Sequence, residues 1–230
     1  MLLFEKAAGP DAVVLASLYQ TIRPATLIIA AGAPHETGMR PIEAIARLAI
    51  PALWMIWVIF WLAAAGNVKR ARWREPLRTR ALHTLPLALG AVLLVGPGWL
   101  PPALTARFAP IGPGLPLFGT LLVAGGLGFT FWARWHLGRN WSGWVTVKDD
   151  HALIRTGPYR VVRHPIYSGV LLALAGTALA VGEWRGVLAV AFALLAFVVK
   201  LRIEEARMRE TFAEYDNYRR QTAALIPGLW

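Results

Sequence analysis

Five long apolar runs, separated by polar stretches in which arginine dominates, set the pattern of this chain. The first, Ile42–Ala65, is apolar after Arg47 for long enough to cross a bilayer with tilt, and Pro51 predicts a kink near one end. The second, Ala81–Leu100, is interrupted by Pro86 and closes in GPGWLPP, and the third runs over Leu115–Trp135. Ile166–Val181 and Gly186–Val199 follow, joined by a tight GEWR turn at 182–185. Ahead of these, Asp11–Ala33 is apolar but carries Arg23-Pro24 at its centre. A central arginine costs about 2.5–3.5 kcal/mol on insertion, so this segment reads as interfacial or partly embedded, a sixth span being the less favoured reading.

Composition agrees with a helical integral membrane protein. Apolar residues make up 57% of the chain and charged ones 16%, and the mean hydropathy is +0.49. A soluble domain sits nearer about 45–50% and 25%. The eleven tryptophans fit the enrichment of indoles at membrane interfaces. Cysteine is absent, which excludes disulfides, thiolate chemistry and cysteine metal sites. The start, MLLFEKAAGPD, lacks the basic and apolar regions of a cleaved signal peptide.

Placing the charges changes the meaning of the net +11. Loop 66–80 carries Lys69, Arg70, Arg72, Arg74, Arg78 and Arg80 against Glu75, whereas loop 101–114 has only Arg107. After the third run come Arg134, Arg139, Lys148, Arg155, Arg160 and Arg163. The positive-inside rule then puts loops 66–80 and 136–165 and the C-terminal segment in the cytoplasm, consistent with five spans. Most of the charge is topological, and nucleic-acid binding is disfavoured. His35, His83 and His136 have no ligand spacing, so no metal is assigned. GGLG at 125–128 follows no strand and is no nucleotide fingerprint; Gly119, Gly125, Gly126 and Gly128 predict close helix packing instead.

The last two runs point to a site. Gly186–Val199 would span only about 21 Å as helix, short of a hydrocarbon core of about 30 Å. The following KLRIEEARMRETF favours helix, so the helix should continue and set Lys200, Arg202, Glu204 and Glu205 at headgroup level. A tight turn makes the pair an antiparallel hairpin, so GPYRVVRHPIYSG at 157–169 must meet KLRIEE. Lys200 and Glu204 share a helix face. Arg160, Arg163 and His164 could be interfacial anchors, and Lys200–Glu204 a surface ion pair. Cations and carboxylates converging at membrane depth suit a zwitterionic ligand better.

These residues resemble the isoprenylcysteine carboxyl methyltransferase family of integral membrane enzymes. The likeness covers about Gly138–Pro227: an H-x-L-[VI] stretch at His151–Ile154, G-x-Y, R-H-P-x-Y-x-G, a Glu pair, and an F-x-x-Y-x-x-Y tail ending in Ile226-Pro227. The resemblance implies an all-α membrane protein of about five spans, with S-adenosylmethionine in a pocket at the cytoplasmic ends of a C-terminal hairpin. It divides the chain into an N-terminal segment 1–41, helices in 42–135 and a methyltransferase core over 136–230. It implies cofactor contacts from His151, Ala152, Leu153, Ile154, Tyr159, Arg163, His164, Pro165, Ile166, Tyr167, Glu204 and Glu205. Glu204 would face the cofactor's amino group. Lys200, where relatives often carry arginine, would face the acceptor's carboxylate, and these two form the catalytic pair. Ala213 stands where a glycine commonly follows the phenylalanine.

The implied partners are the bilayer and a lipophilic or lipidated substrate, with no nucleic acid and no metal. The Ala/Arg-rich composition suggests a bacterial inner membrane, the active site facing the cytoplasm. Phospholipid amine N-methylation is the second reading, and Lys200 argues mildly against it. A reductase relative would have a longer chain and a nicotinamide site. A transporter or scaffold would use the cations as anchors only and bind no cofactor.

Overall fold

The computed structural model describes residues 41–65, 71–96, 98–109, 112, 114–141, 146–148 and 153–228. The expectations for 11–33, and for His151 and Ala152, lie outside the described residues. Among the described residues seven α-helices dominate: α1 Pro41–Ala65, α2 Leu77–Val95, α3 Pro102–Thr105, α4 Gly114–Leu137, α5 Pro165–Val181, α6 Trp184–Thr211 and α7 Tyr215–Gln221. One feature departs from an all-helical fold. Strands β1 (Ala71–Arg74) and β2 (Thr146–Lys148) pair antiparallel and tie the two arginine-rich loops together.

Among the described residues three helices are long and apolar enough to cross a membrane, through Leu48–Ala65, Gly114–Leu137 and Trp184–Thr211. α5 is apolar but has 17 residues. α2 begins at Leu77, earlier than its apolar run, and so takes Arg78 and Arg80 into its first turns. It also ends earlier than expected. Gly96 adopts φ 67°, donates its N–H to Val92 O at 3.1 Å, and leaves Trp99 and Leu100 in the following turn. α6 continues through KLRIEEARMRET as expected, and the turn before it rests on Gly182 at φ 70°.

Glycines decide how closely α4 and α5 approach. A Cβ on Gly126 would lie 2.5 Å from Gly169 O, and one on Gly169 would lie 2.5 Å from Gly126 O. Gly119 and Gly176 face each other in the same reciprocal way. Each helix thus repeats its glycine after seven residues, two turns, so the pairs register along an antiparallel seam. Gly125 and Gly128 have no such neighbour, which corrects the packing role expected for them. They lie off the seam face of the helix.

α1 docks across this seam. Trp54 Nε1 donates to Thr177 Oγ1 at 3.1 Å and Trp57 Nε1 to Thr130 Oγ1 at 2.9 Å. Ile50, Val123, Leu127 and Ala173 form the core between α1, α4 and α5. α2 packs on α6, with Gly90 against Ala189 and Phe192. At the turn end of the hairpin, Arg185 reaches across to the last carbonyls of α2, Leu93 O at 3.0 Å and Leu94 O at 2.6 Å. Arg107 donates to Val181 O at 3.1 Å.

Candidate active site at the open end of the hairpin

The RHP segment is held before α5 begins. Gly157–Arg160 is a short 3-10 turn with Pro158 and Tyr159 buried. Val162 then pairs in parallel with Ala223, while the amides of Arg163 and His164 donate to Ala223 O at 2.9 Å and Ala224 O at 3.1 Å. Ser168 Oγ donates to Leu225 O at 2.6 Å. His164 is the N-cap residue and Pro165 opens α5, where a missing N–H leaves no bond unmade.

On this frame α5 and α6 meet through charge. Arg163 Nε donates to Glu205 Oε1 at 2.7 Å, and both side chains are buried. Its Nη1 donates to Arg219 O at 3.1 Å and to Thr222 O. Arg163 is therefore tied to the C-terminal segment from inside the protein, which is not the posture of a headgroup anchor. His164 lies between the two glutamates, with Nδ1 3.5 Å from Glu204 Oε2 and Nε2 3.3 Å from Glu205 Oε1. Arg219 Nε reaches Glu205 Oε2 at 3.5 Å.

Burial alone would lower the His164 pKa, but its bonds to Glu204 and Glu205 outweigh that and hold it above its ordinary value. Burial raises Tyr159, and the nearby Tyr218 and Glu204 add to the effect. Tyr218 is pushed up to about 12, also mainly by burial. Its hydroxyl donates to Tyr159 O at 2.6 Å, so the tail tyrosine braces the turn.

Tyr167 joins the polar cluster to the apolar core. Its hydroxyl donates to Glu204 Oε1 at 2.6 Å. Its ring stacks between His164 (5.4 Å) and Phe197 (4.7 Å), and Lys200 Nζ stands 5.4 Å from its centroid. Lys200 and Glu204, one turn apart on α6, thus converge on Tyr167. Leu153, Ile154 and Ile166 are half-buried nearby in sequence, and Pro165 is fully buried.

Two features escaped sequence reasoning. His83 is not a lone histidine: its Nε2 lies 2.7 Å from Glu75 Oε1, and both side chains are buried. The two are eight residues apart across the start of α2, a separation no helical repeat flags; the one signal was an acid alone among loop cations. Arg134, expected as a loop cation, lies inside α4. It is 6% exposed, donates to Gly138 O and Ala64 O, and stands 5.0 Å from the Trp141 ring centroid. Among the described residues no cluster of metal-ligating side chains forms.

Residues 115–215, which contain the seam, the RHP segment and both glutamates, match the phospholipid methyltransferase family. That matched segment, less than half of the chain, is similar to the methyltransferases of this family. Similar proteins include the nickel-cobalt-cadmium resistance protein NccN of Alcaligenes xylosoxydans xylosoxydans, 32% identical over 47% of this chain and 51% of the relative. The cobalt-zinc-cadmium resistance protein CzcN of Cupriavidus metallidurans is 34% identical over 40% of this chain and 44% of the relative. A probable protein-S-isoprenylcysteine O-methyltransferase of Oryza sativa subsp. indica is 32% identical over 37% and 46%. The chain spans about half the length of the curated relatives it matches.

Proposed function

We propose that the chain is an S-adenosylmethionine-dependent methyltransferase that esterifies the carboxylate of an isoprenylcysteine-like or other lipophilic substrate. The observation that carries the reading is the convergence of Glu204, His164 and Tyr167, with Lys200 one turn away, inside the segment matched by the family. Five spans and an active site at the cytoplasmic face of a bacterial inner membrane complete it. In this reading 136–230 is the catalytic core, 42–135 its helical support and 1–41 a separate N-terminal segment.

The donor set fits the cofactor. Glu204, whose side chain is 18% exposed, offers a carboxylate to an ammonium group. His164, whose pKa the two glutamates hold above its ordinary value, offers its imidazole at the N-terminus of α5 to a carboxylate. Leu153, Ile154, Tyr159, Pro165 and Ile166 supply the less polar lining, and Glu205 and Arg163 hold His164 in place. When bound, S-adenosylmethionine supplies a methyl group on a sulfonium sulfur for in-line displacement.

The chain's own residues have a limited task. A carboxylate acceptor is already ionised at neutral pH, so no general base is needed. Lys200 holds that carboxylate, and the Tyr167–Phe197 stack excludes water from beside it. Lys200 favours an anionic acceptor over the amine of a phospholipid.

Calorimetric titration of detergent-purified protein with S-adenosylhomocysteine tests the reading. Micromolar binding that weakens in Glu204→Gln and His164→Ala supports it. A folded wild type that gives no heat across a range of temperatures would remove its main support and return the cations to membrane anchoring.

A further inference from the structure

The buried Glu75–His83 pair has no part in that reading, yet it sits against the same site. α2 and α6 run antiparallel: Arg185 meets Leu94, and Gly90 meets Ala189 and Phe192. One turn further along α2, Leu87 packs on the cluster of Phe197 and Tyr167. The next turn is His83, which this register sets beside Phe197–Lys200. The charges of Lys200 and Glu204 reach His83, and that of Glu75 reaches Tyr167.

Among the described residues, one atom in the pair lacks a hydrogen-bond partner. Glu75 Oε1 engages His83 and lies 3.9 Å from Arg80 Nε, but Glu75 Oε2 is buried with no hydrogen-bond partner among the described residues, and the side chain is fully inaccessible. A buried carboxylate oxygen without a donor is costly and rare, and it calls for a ligand group that brings one.

We propose that Glu75 and His83 form a second polar wall of the acceptor site, where Glu75 Oε2 accepts a hydrogen bond from an N–H adjoining the anionic group that Lys200 holds. This rests on the methyltransferase reading and narrows it. The preferred acceptor has a lipid tail, a carboxylate and an N–H next to it. Lys200 receives the anion, Glu75 reads the donor, and an acceptor lacking that hydrogen leaves Glu75 Oε2 unsatisfied.

Two probes that differ in that hydrogen test the idea: N-dodecanoylglycine, with an amide N–H, and N-dodecanoylsarcosine, with N–CH3 in its place. Each is titrated below its micellar concentration into the full chain, with and without S-adenosylhomocysteine. The wild type should bind the glycine conjugate about tenfold or more tightly. The double variant Glu75→Met/His83→Leu removes both members of the hydrogen-bonded pair; Arg80, whose Nε lies 3.9 Å from Glu75 Oε1, has a side chain 23% exposed and can turn to water, so the variant should fold. It should bind the two probes equally and keep wild-type affinity for S-adenosylhomocysteine. Equal affinities in the wild type, discrimination that survives in the double variant, or binding of neither probe would each overturn the proposal. Loss of S-adenosylhomocysteine binding by the wild type would instead defeat the methyltransferase reading itself.

Discussion

Both ends of the α5–α6 hairpin bring arginine to glutamate, and they use the pairing differently. At the turn end, Arg185 binds Glu183 at 2.5 Å and spends another nitrogen on the Leu93 and Leu94 carbonyls. Arg107 likewise ends on Val181 O. Each cation closes a helix C-terminus, where free carbonyls and the helix dipole attract it. At the open end two consecutive glutamates draw in Arg163, His164 and Arg219, while Lys200 stands a turn away. Here the carboxylates converge and one of them, Glu204, keeps some exposure. Residue type alone does not separate a helix cap from a site; the partner does.

The largest effect should come from breaking the open end. Glu205→Ala leaves Arg163 buried without its carboxylate and should cost roughly 3–5 kcal/mol in detergent unfolding. Replacing both as Arg163→Met/Glu205→Leu should recover most of that loss. Next, Glu204→Gln should keep the fold and weaken S-adenosylhomocysteine about ten- to hundredfold, the scale of one charge-assisted hydrogen bond. At the turn end Arg185→Met should cost only about 1–2 kcal/mol and leave that affinity unchanged. An equal loss of affinity there would erase the contrast.

The smallest effect concerns pH. The folded state holds His164 above its ordinary pKa, so its stabilising contribution is complete below about 6.5 and fades as pH climbs through the raised value. The difference in melting temperature between wild type and His164→Gln should therefore narrow from pH 6 upward. A difference that widens with pH would mean His164 is held neutral.

Much of this hairpin was legible in the sequence. The shortness of Gly186–Val199, a tight GEWR turn at 182–185 and good helix formers beyond the apolar run forced RHP and KLRIEE together, and they meet. What stayed hidden was every partner set by distant chain. Arg163 binds carbonyls of Arg219 and Thr222, and backbone acceptors carry no signature in side-chain identity. The Glu75–His83 pair forms because α2 starts earlier than its apolar run, so both residues fall under the packing of α2 on α6. The glycine seam was half legible. Phase separates Gly119 and Gly126 from Gly125 and Gly128, but only the antiparallel partners Gly169 and Gly176 show which phase is used.

The frame beneath RHP has a consequence for the order of events in a growing chain. The amides of Arg163 and His164 are satisfied by carbonyls of Ala223 and Ala224, some sixty residues later. A ribosome reaches those residues only after α4, α5 and α6 have been made. Insertion can therefore run to completion while the charged cluster is still unassembled, and docking of one short segment sets the moment it forms. A chain cut after Tyr218 should insert, pack its glycine seam, and never assemble its site.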